Sequence, residues 1–158
     1  MGKFNNRISA EFHPPRKWIL KRALSYQNEN IDVDALEKIG VECPAHRITC
    51  KKEFKTDLAS TPKFLWNLIA PWDIARAAII HDLLYKRIRQ YRVKCSKSLK
   101  NYEDPKVIDD AKKAADDVFH MAMKDAEPSV AGWKIAAAYY SVRMFGRWSI
   151  IPREEDQA

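Results

Sequence analysis

Between Asp73 and Arg89 the apolar residues Ile74, Ala77, Ala78, Leu84, Tyr85 and Ile88 recur at the spacing of an α-helix, and His81 stands near the centre of the face they form. Nothing else in the chain constrains its fold as tightly. A histidine in that phase enters the core with its face; burial then disfavours its charged form and demands a hydrogen-bond partner. Asp82 projects about 100° away, at the edge of the same face. Tyr85 lies one turn on, within reach of any carboxylate that a neighbouring helix brings to His81.

The chain around this helix divides into a β-rich and a helical part. Trp18–Leu20 and Ala23–Tyr26 read as strands about a short polar turn, Asp34–Ile39 as a helical turn ended by Gly40, and Arg47–Lys51 as a further strand. Phe54–Pro62 holds turn chemistry, with Asp57 or Ser60 capping a short helix that enters at Pro62 or Lys63. Asp73 is the predicted N-cap of the His81 helix, which ends near Arg89 before a linker with Ser96, Ser98 and Asn101. Asp104-Pro105 caps a second helix to about Lys124, with Ile108, Ala111, Ala115, Phe119 and Ala122 as its stripe. Pro128-Ser129 opens a third, through Ile135, Ala136, Tyr139, Tyr140 and Val142 to Phe145, with Gly146 as C-cap. The expected fold class is α+β: a small N-terminal antiparallel β-sheet followed by a three-helix C-terminal part. At 158 residues this is one domain over 1–152, β-rich over 1–62 and helical over 63–147, with a frayed acidic tail at 153–158.

A buried His–carboxylate pair is the arrangement of a general base, because the carboxylate holds the tautomer and steadies the imidazolium that forms. Two aspartates of the second helix are candidates: Asp116 flanks the Phe119 and Met123 side, and Asp117 lies nearer the polar back with Asp110 and Lys113. Periodicity separates them only weakly. Asp82 is then placed to hold a metal ion while His81 works on a water. The loop Thr56-Asp57-Leu58-Ala59-Ser60-Thr61-Pro62 gathers carbonyls and a carboxylate, the all-oxygen shell that a hard cation such as calcium prefers. Taken one at a time, each feature has a plainer explanation. A buried histidine can satisfy a single neighbour, Asp82 can pair with Arg76 or Lys86, and the loop can be a capping turn. His13, His46 and His120 have no comparable setting.

The net charge of +7 favours anionic partners. Between Lys86 and Lys100 there is no acidic residue, and Lys86, Arg87, Arg89, Arg92 and Lys94 make a candidate surface for an anionic phospholipid membrane, or simply a solvated helix end. Nucleic acid ranks behind this, for want of a helix-turn-helix glycine, zinc spacing or aromatic-basic repeat. Trp148–Pro152 could be an exposed apolar arm for a partner or lipid surface. Cys43, Cys50 and Cys95 fit no zinc spacing and predict reduced thiols. No stretch approaches the roughly 18 apolar residues of a membrane span, and Met1–Ala10 carries no apolar signal segment, so the expected location is cytoplasmic.

Four motifs stand in order: Phe54-Lys-Thr56-Asp57-Leu58-Ala59-Ser60-Thr-Pro62, Arg76-Ala77-Ala78-Ile-Ile-His81-Asp82-Leu-Leu-Tyr85, Ala115-Asp116-Asp-Val-Phe119 and Tyr140-Ser-Val142-Arg143-Met-Phe145-Gly146. Together they resemble the phage and prophage family called domain of unknown function 1353, over roughly Trp18 to Gly146. That family usually has glycine where this chain has Glu53. The resemblance implies a bacteriophage origin, residence in the host cytoplasm or the virion, and phage structural proteins as partners. It also implies a functional set of Asp57, Ser60, His81, Asp82, Tyr85 and Asp116, and so favours Asp116 over Asp117. A second resemblance concerns mechanism: His81-Asp82-x-x-Tyr85 with an aspartate on a following helix is similar to the catalytic helices of phospholipase A(2). It implies His81 as base, Asp82 as calcium ligand, Asp116 orienting His81, Tyr85 supporting Asp116, and carbonyls around Asp57 as the calcium loop. The glycine-rich calcium loop and the disulfides of secreted phospholipases are not found here. The expectation is a metal-assisted hydrolase, with a non-enzymatic virion, tail or host-takeover protein as the alternative.

Overall fold

The His81 helix runs through the middle of the molecule. In a computed structural model, which describes residues 2–14, 17–56, 71–98, 102–127 and 129–157, it spans Pro71–Lys97 (α2), and from Ile74 to Tyr85 every side chain but Arg76 is buried. A helix enclosed on all sides has no polar back. This is why Asp82, at the edge of the apolar face by phase, is buried with the rest. Asp73, the expected cap, is the helix's third residue, and the C-terminal end continues about two turns past Arg89.

Among the described residues the helices of the C-terminal part are α2, α3 (Pro105–Lys124) and α4 (Gly132–Ser149), with α3 packed against both of the others. Asp104 caps α3 as its sequence predicts, its carboxylate accepting from the Lys106 N–H at 2.9 Å with Pro105 at the first position. The α4 boundaries differ from expectation. The helix opens at Gly132 rather than Pro128-Ser129, and Gly146 lies inside it rather than ending it. A Cβ on Gly146 would collide with the Tyr85 hydroxyl and lie 3.0 Å from its ring carbon, so this glycine serves close approach between helices.

The β-rich part holds strands β1 (Lys3–Phe4), β2 (Ala10–His13), β3 (Lys17–Leu20), β4 (Leu24–Gln27), β5 (Arg47–Cys50) and β6 (Lys55–Thr56), with the short helix α1 (Val33–Glu37) between β4 and β5. They form two antiparallel sheets rather than one, ordered β1-β4-β5 and β2-β3-β6. The two segments expected to flank a polar turn, β3 and β4, are both strands but do not pair. Residue 10 of β2 pairs with Leu20 of β3, while Leu24 of β4 pairs with Cys50 of β5. Burial separates them: Leu24, Ser25 and Tyr26 are all buried in β4, whereas β3 leaves Lys17 exposed. In β5 the alternation is clean, with Ile48 and Cys50 inside. Between β5 and β6 the Phe54 N–H donates to the Lys51 carbonyl at 3.2 Å, and Glu53 takes φ +69°. That is the third position of a type II turn, which favours glycine.

One cluster of buried side chains joins the two parts, from Leu20, Tyr26 and Ile48 to Ile80, Leu84, Ile88 and Phe119. Cys43, Cys50 and Cys95 lie in the interior as free thiols. The acidic tail is docked rather than frayed: Glu154–Gln157 forms a 3-10 turn on α2, where Arg89 donates to Asp156 at 2.9 Å and to the Ser149 carbonyl at 3.1 Å. Arg92 holds the Ile150 carbonyl at 2.9 Å, and Lys97 that of Gln157 at 3.1 Å. The cap and helix expected at Asp57, Ser60 and Pro62 lie outside the described residues.

Candidate active site

His81 and Asp116 face each other across the α2–α3 contact. The Nε2 of His81 lies 2.8 Å from Asp116 Oδ1, with the histidine 1% exposed and the aspartate 0%. The Tyr85 hydroxyl donates to the same oxygen at 2.6 Å. Phase explains the trio: His81 and Tyr85 are four residues apart on one helix, so one carboxylate can meet both. The imidazole packs against the rings of Tyr85 and Phe119, with centroids 4.0 and 4.8 Å away.

The other oxygen of Asp116 is held by two cations. Lys112, one turn back on α3, donates to Oδ2 at 2.8 Å, and Arg143 of α4 donates at 3.0 Å. Lys112 is itself buried and also donates to the Val142 carbonyl at 2.9 Å. Burial by itself pushes the Asp116 carboxyl up, but hydrogen bonds and charge from His81, with further bonds from Lys112 and Tyr85, hold it at about 2, below the usual 3.8. Asp116 is therefore an anion near neutral pH. An ionised carboxylate only accepts, so the ring nitrogen facing it, Nε2, carries a proton. Nδ1 makes no hydrogen bond to a described residue, and in the neutral ring it holds the lone pair. Burial, and next the charge of Asp116, push the Tyr85 hydroxyl well above its ordinary range, so it remains a donor.

Asp82 points elsewhere. Its Oδ2 accepts from the Thr56 hydroxyl at 2.6 Å, which ties α2 to strand β6. Its charge, after burial, helps push the nearby Cys50 thiol up to about 12. Asp82 also lines a cavity of about 220 Å³ together with Lys17, Lys55, Lys86, Arg89, Arg153 and Glu155, five cationic side chains against two carboxylates. Among the described residues no three His, Cys, Asp or Glu side chains converge as a metal site. Asp57 and Ser60, the other residues expected at a cation site, lie outside the described residues.

The basic run of α2 is divided. Arg89 is 2% exposed and paired to Asp156, and Arg92 binds Glu103 at 3.0 Å. Lys86 lies over the Phe54 ring, while Arg87 and Lys94 are exposed. Asp117 is a surface residue that bonds Lys113 and the Tyr139 hydroxyl. Sequence reasoning missed Lys112 and Arg143. Lys112–Asp116 and Lys113–Asp117 share the i,i+4 spacing of a helical ion pair, and spacing does not tell which pair is buried.

The class these features define is an α+β protein whose three longest helices meet at a buried histidine–aspartate network. The family described as "Protein of unknown function (DUF1353)" matches over residues 33–142, a span that contains His81, Asp82, Tyr85, Lys112 and Asp116. The chain belongs to that family. No curated protein and no solved structure matches it.

Proposed function

We propose that the protein is a hydrolase in which His81 is the general base. The observation that carries this reading is the 2.8 Å contact of Asp116 with His81 Nε2, which in the neutral ring leaves the lone pair on Nδ1. In the proposed reaction Nδ1 takes a proton from water as the water oxygen attacks an ester carbonyl. The tetrahedral intermediate then collapses, and the imidazolium returns that proton to the departing alkoxide. Asp116 stays ionised throughout and fixes the ring, while Tyr85, Lys112 and Arg143 fix Asp116. The cationic lining beside Asp82 supports an anionic substrate, and a phospholipid ester is the best-specified one. A divalent cation, calcium by preference, held by Asp82 with Asp57 belongs to the same proposal, but the five cationic side chains beside Asp82 oppose a cation there and no step is routed through it. The phage or prophage origin implied by the motifs belongs to it as well.

The test is release of fatty acid from mixed phospholipids, in calcium and in chelator, by the wild type and His81→Asn. Release that disappears in the variant supports the reading. No release in either condition removes the lipase form, and a His81→Asn protein as active as the wild type on any ester removes the catalytic form.

The burial of His81 and Asp116 favours a second reading, in which the network fixes helix packing in a non-enzymatic virion, tail or host-takeover protein. That reading expects a loss of thermal stability in His81→Asn, no divalent-metal binding by the wild type, and, for a virion component, its presence in purified particles by mass spectrometry.

A further inference from the structure

We infer that the outer face of α4 is a docking surface for an anionic lipid membrane. Trp133, Tyr140, Met144 and Trp148 follow one another at intervals of seven, four and four residues, which puts them within an arc of about 80°. The opposite face, with Ile135, Ala138, Val142 and Gly146, is buried. The stripe is open: Trp133 is 58% exposed, Tyr140 63%, Met144 63% and Trp148 53%, and Ile151 just beyond the helix extends it at 51%. Large apolar side chains scattered singly over a surface need no explanation, but a contiguous row along one helix does.

The chemistry of the row selects the partner. From Ser129 to Arg153 there is no acidic residue. Arg147 flanks the stripe on one side and Lys134 on the other, with the Arg147 guanidinium over the Trp148 ring at 4.4 Å and the Lys134 ammonium over Trp133 at 5.9 Å. Trp and Tyr prefer the headgroup level of a bilayer, where an apolar ring and a polar tip are both satisfied. Cations at the margin of such a row meet lipid phosphates while their stems remain on the apolar side. An acidic protein groove would match the charge equally, but a nearly straight row of about five exposed side chains suits a flat surface better than a pocket. No helix among the described residues is long and apolar enough to cross a membrane, so this is contact in the plane of the interface. The exposed cations of the α2 run are a poorer candidate, since Arg89 and Arg92 turn inward to the tail and Glu103.

The inference is independent of the catalytic reading. The experiment is flotation of the intact protein with vesicles of equimolar phosphatidylglycerol and phosphatidylcholine, and with phosphatidylcholine alone. The wild type should float with the anionic vesicles, and added salt should weaken this. His81→Asn should float equally well. Tyr140→Ser with Trp148→Ser, checked for native circular dichroism, should lower partitioning by at least about tenfold. Lys134→Glu with Arg147→Glu should abolish the preference for anionic vesicles. Failure of the wild type to float, or flotation untouched by both double variants, overturns the inference. So does a concentration-dependent dimer that the Ser variant dissolves in a protein that does not float, which would make a second copy the occupant.

Discussion

Removing the charge of Asp116 tests the centre of the site. Asp116→Asn keeps the shape of the side chain but leaves the buried Lys112 ammonium and the Arg143 guanidinium without a counter-ion. Breaking a buried pair from one side costs roughly 3–5 kcal/mol, most of it the stranded charge. For a chain of this size that lowers Tm by about 10 °C. The acid limb gives a separate handle. The folded carboxyl sits at about 2 against 3.8 when unperturbed, a depressed value, so its contribution is complete above pH 3.8 and disappears as pH falls through 2. The difference corresponds to about 2 kcal/mol. Urea unfolding of wild type and Asp116→Asn should therefore show a gap that is widest at neutral pH and narrows by about 2 kcal/mol towards pH 2. Adding Lys112→Met to Asp116→Asn should recover a large part of the loss, because the stranded ammonium goes with it. A gap below about 1 kcal/mol at neutral pH, or a double variant as unstable as the two single losses summed, would refute the account of Asp116 as the counter-ion of this network.

Two other substitutions probe the chain around the site. Glu53→Gly places in the type II turn the residue its φ of +69° prefers, and should stabilise the protein by about 0.5–1 kcal/mol in chemical denaturation; a loss of stability would contradict the turn assignment. Gly146→Ala puts a methyl against the Tyr85 hydroxyl and should cost about 1–3 kcal/mol. Combining it with Tyr85→Phe should be less than additive in the same assay, since the closest clash is with the hydroxyl oxygen, and strict additivity would rule the contact out.

Which residues surround His81 is legible wherever it rests on helical phase or a local signal. His81 and Tyr85 share a face because 3.6 residues make a turn whatever the tertiary context. Asp104-Pro105 starts α3 because capping is satisfied within one turn. The selection of Asp116 over Asp117 came from the ordered family motifs, since both lie in the same half-polar stretch. The positive φ at Glu53 falls where the motif resemblance implies a glycine.

What only the tertiary structure decided is every choice of partner across elements. Lys112 and Lys113 carry identical spacing to an aspartate, and it is the packing of α3 against both α2 and α4 that buries the Lys112–Asp116 pair, while the Lys113–Asp117 pair stays at the surface. Arg89 reads as one cation in a basic run, yet it closes on Asp156, 67 residues away, and turns an acidic tail into a docked one. Strands β3 and β4 are each apparent from composition, but their assignment to different sheets is not. Asp82 reads as a residue at the edge of a face until the Ile74–Tyr85 part of α2 is found enclosed. A helical period or a cap is fixed by backbone geometry within a few residues. Which distant groups then meet depends on how the whole chain buries its apolar surface, and that sum is made only in three dimensions.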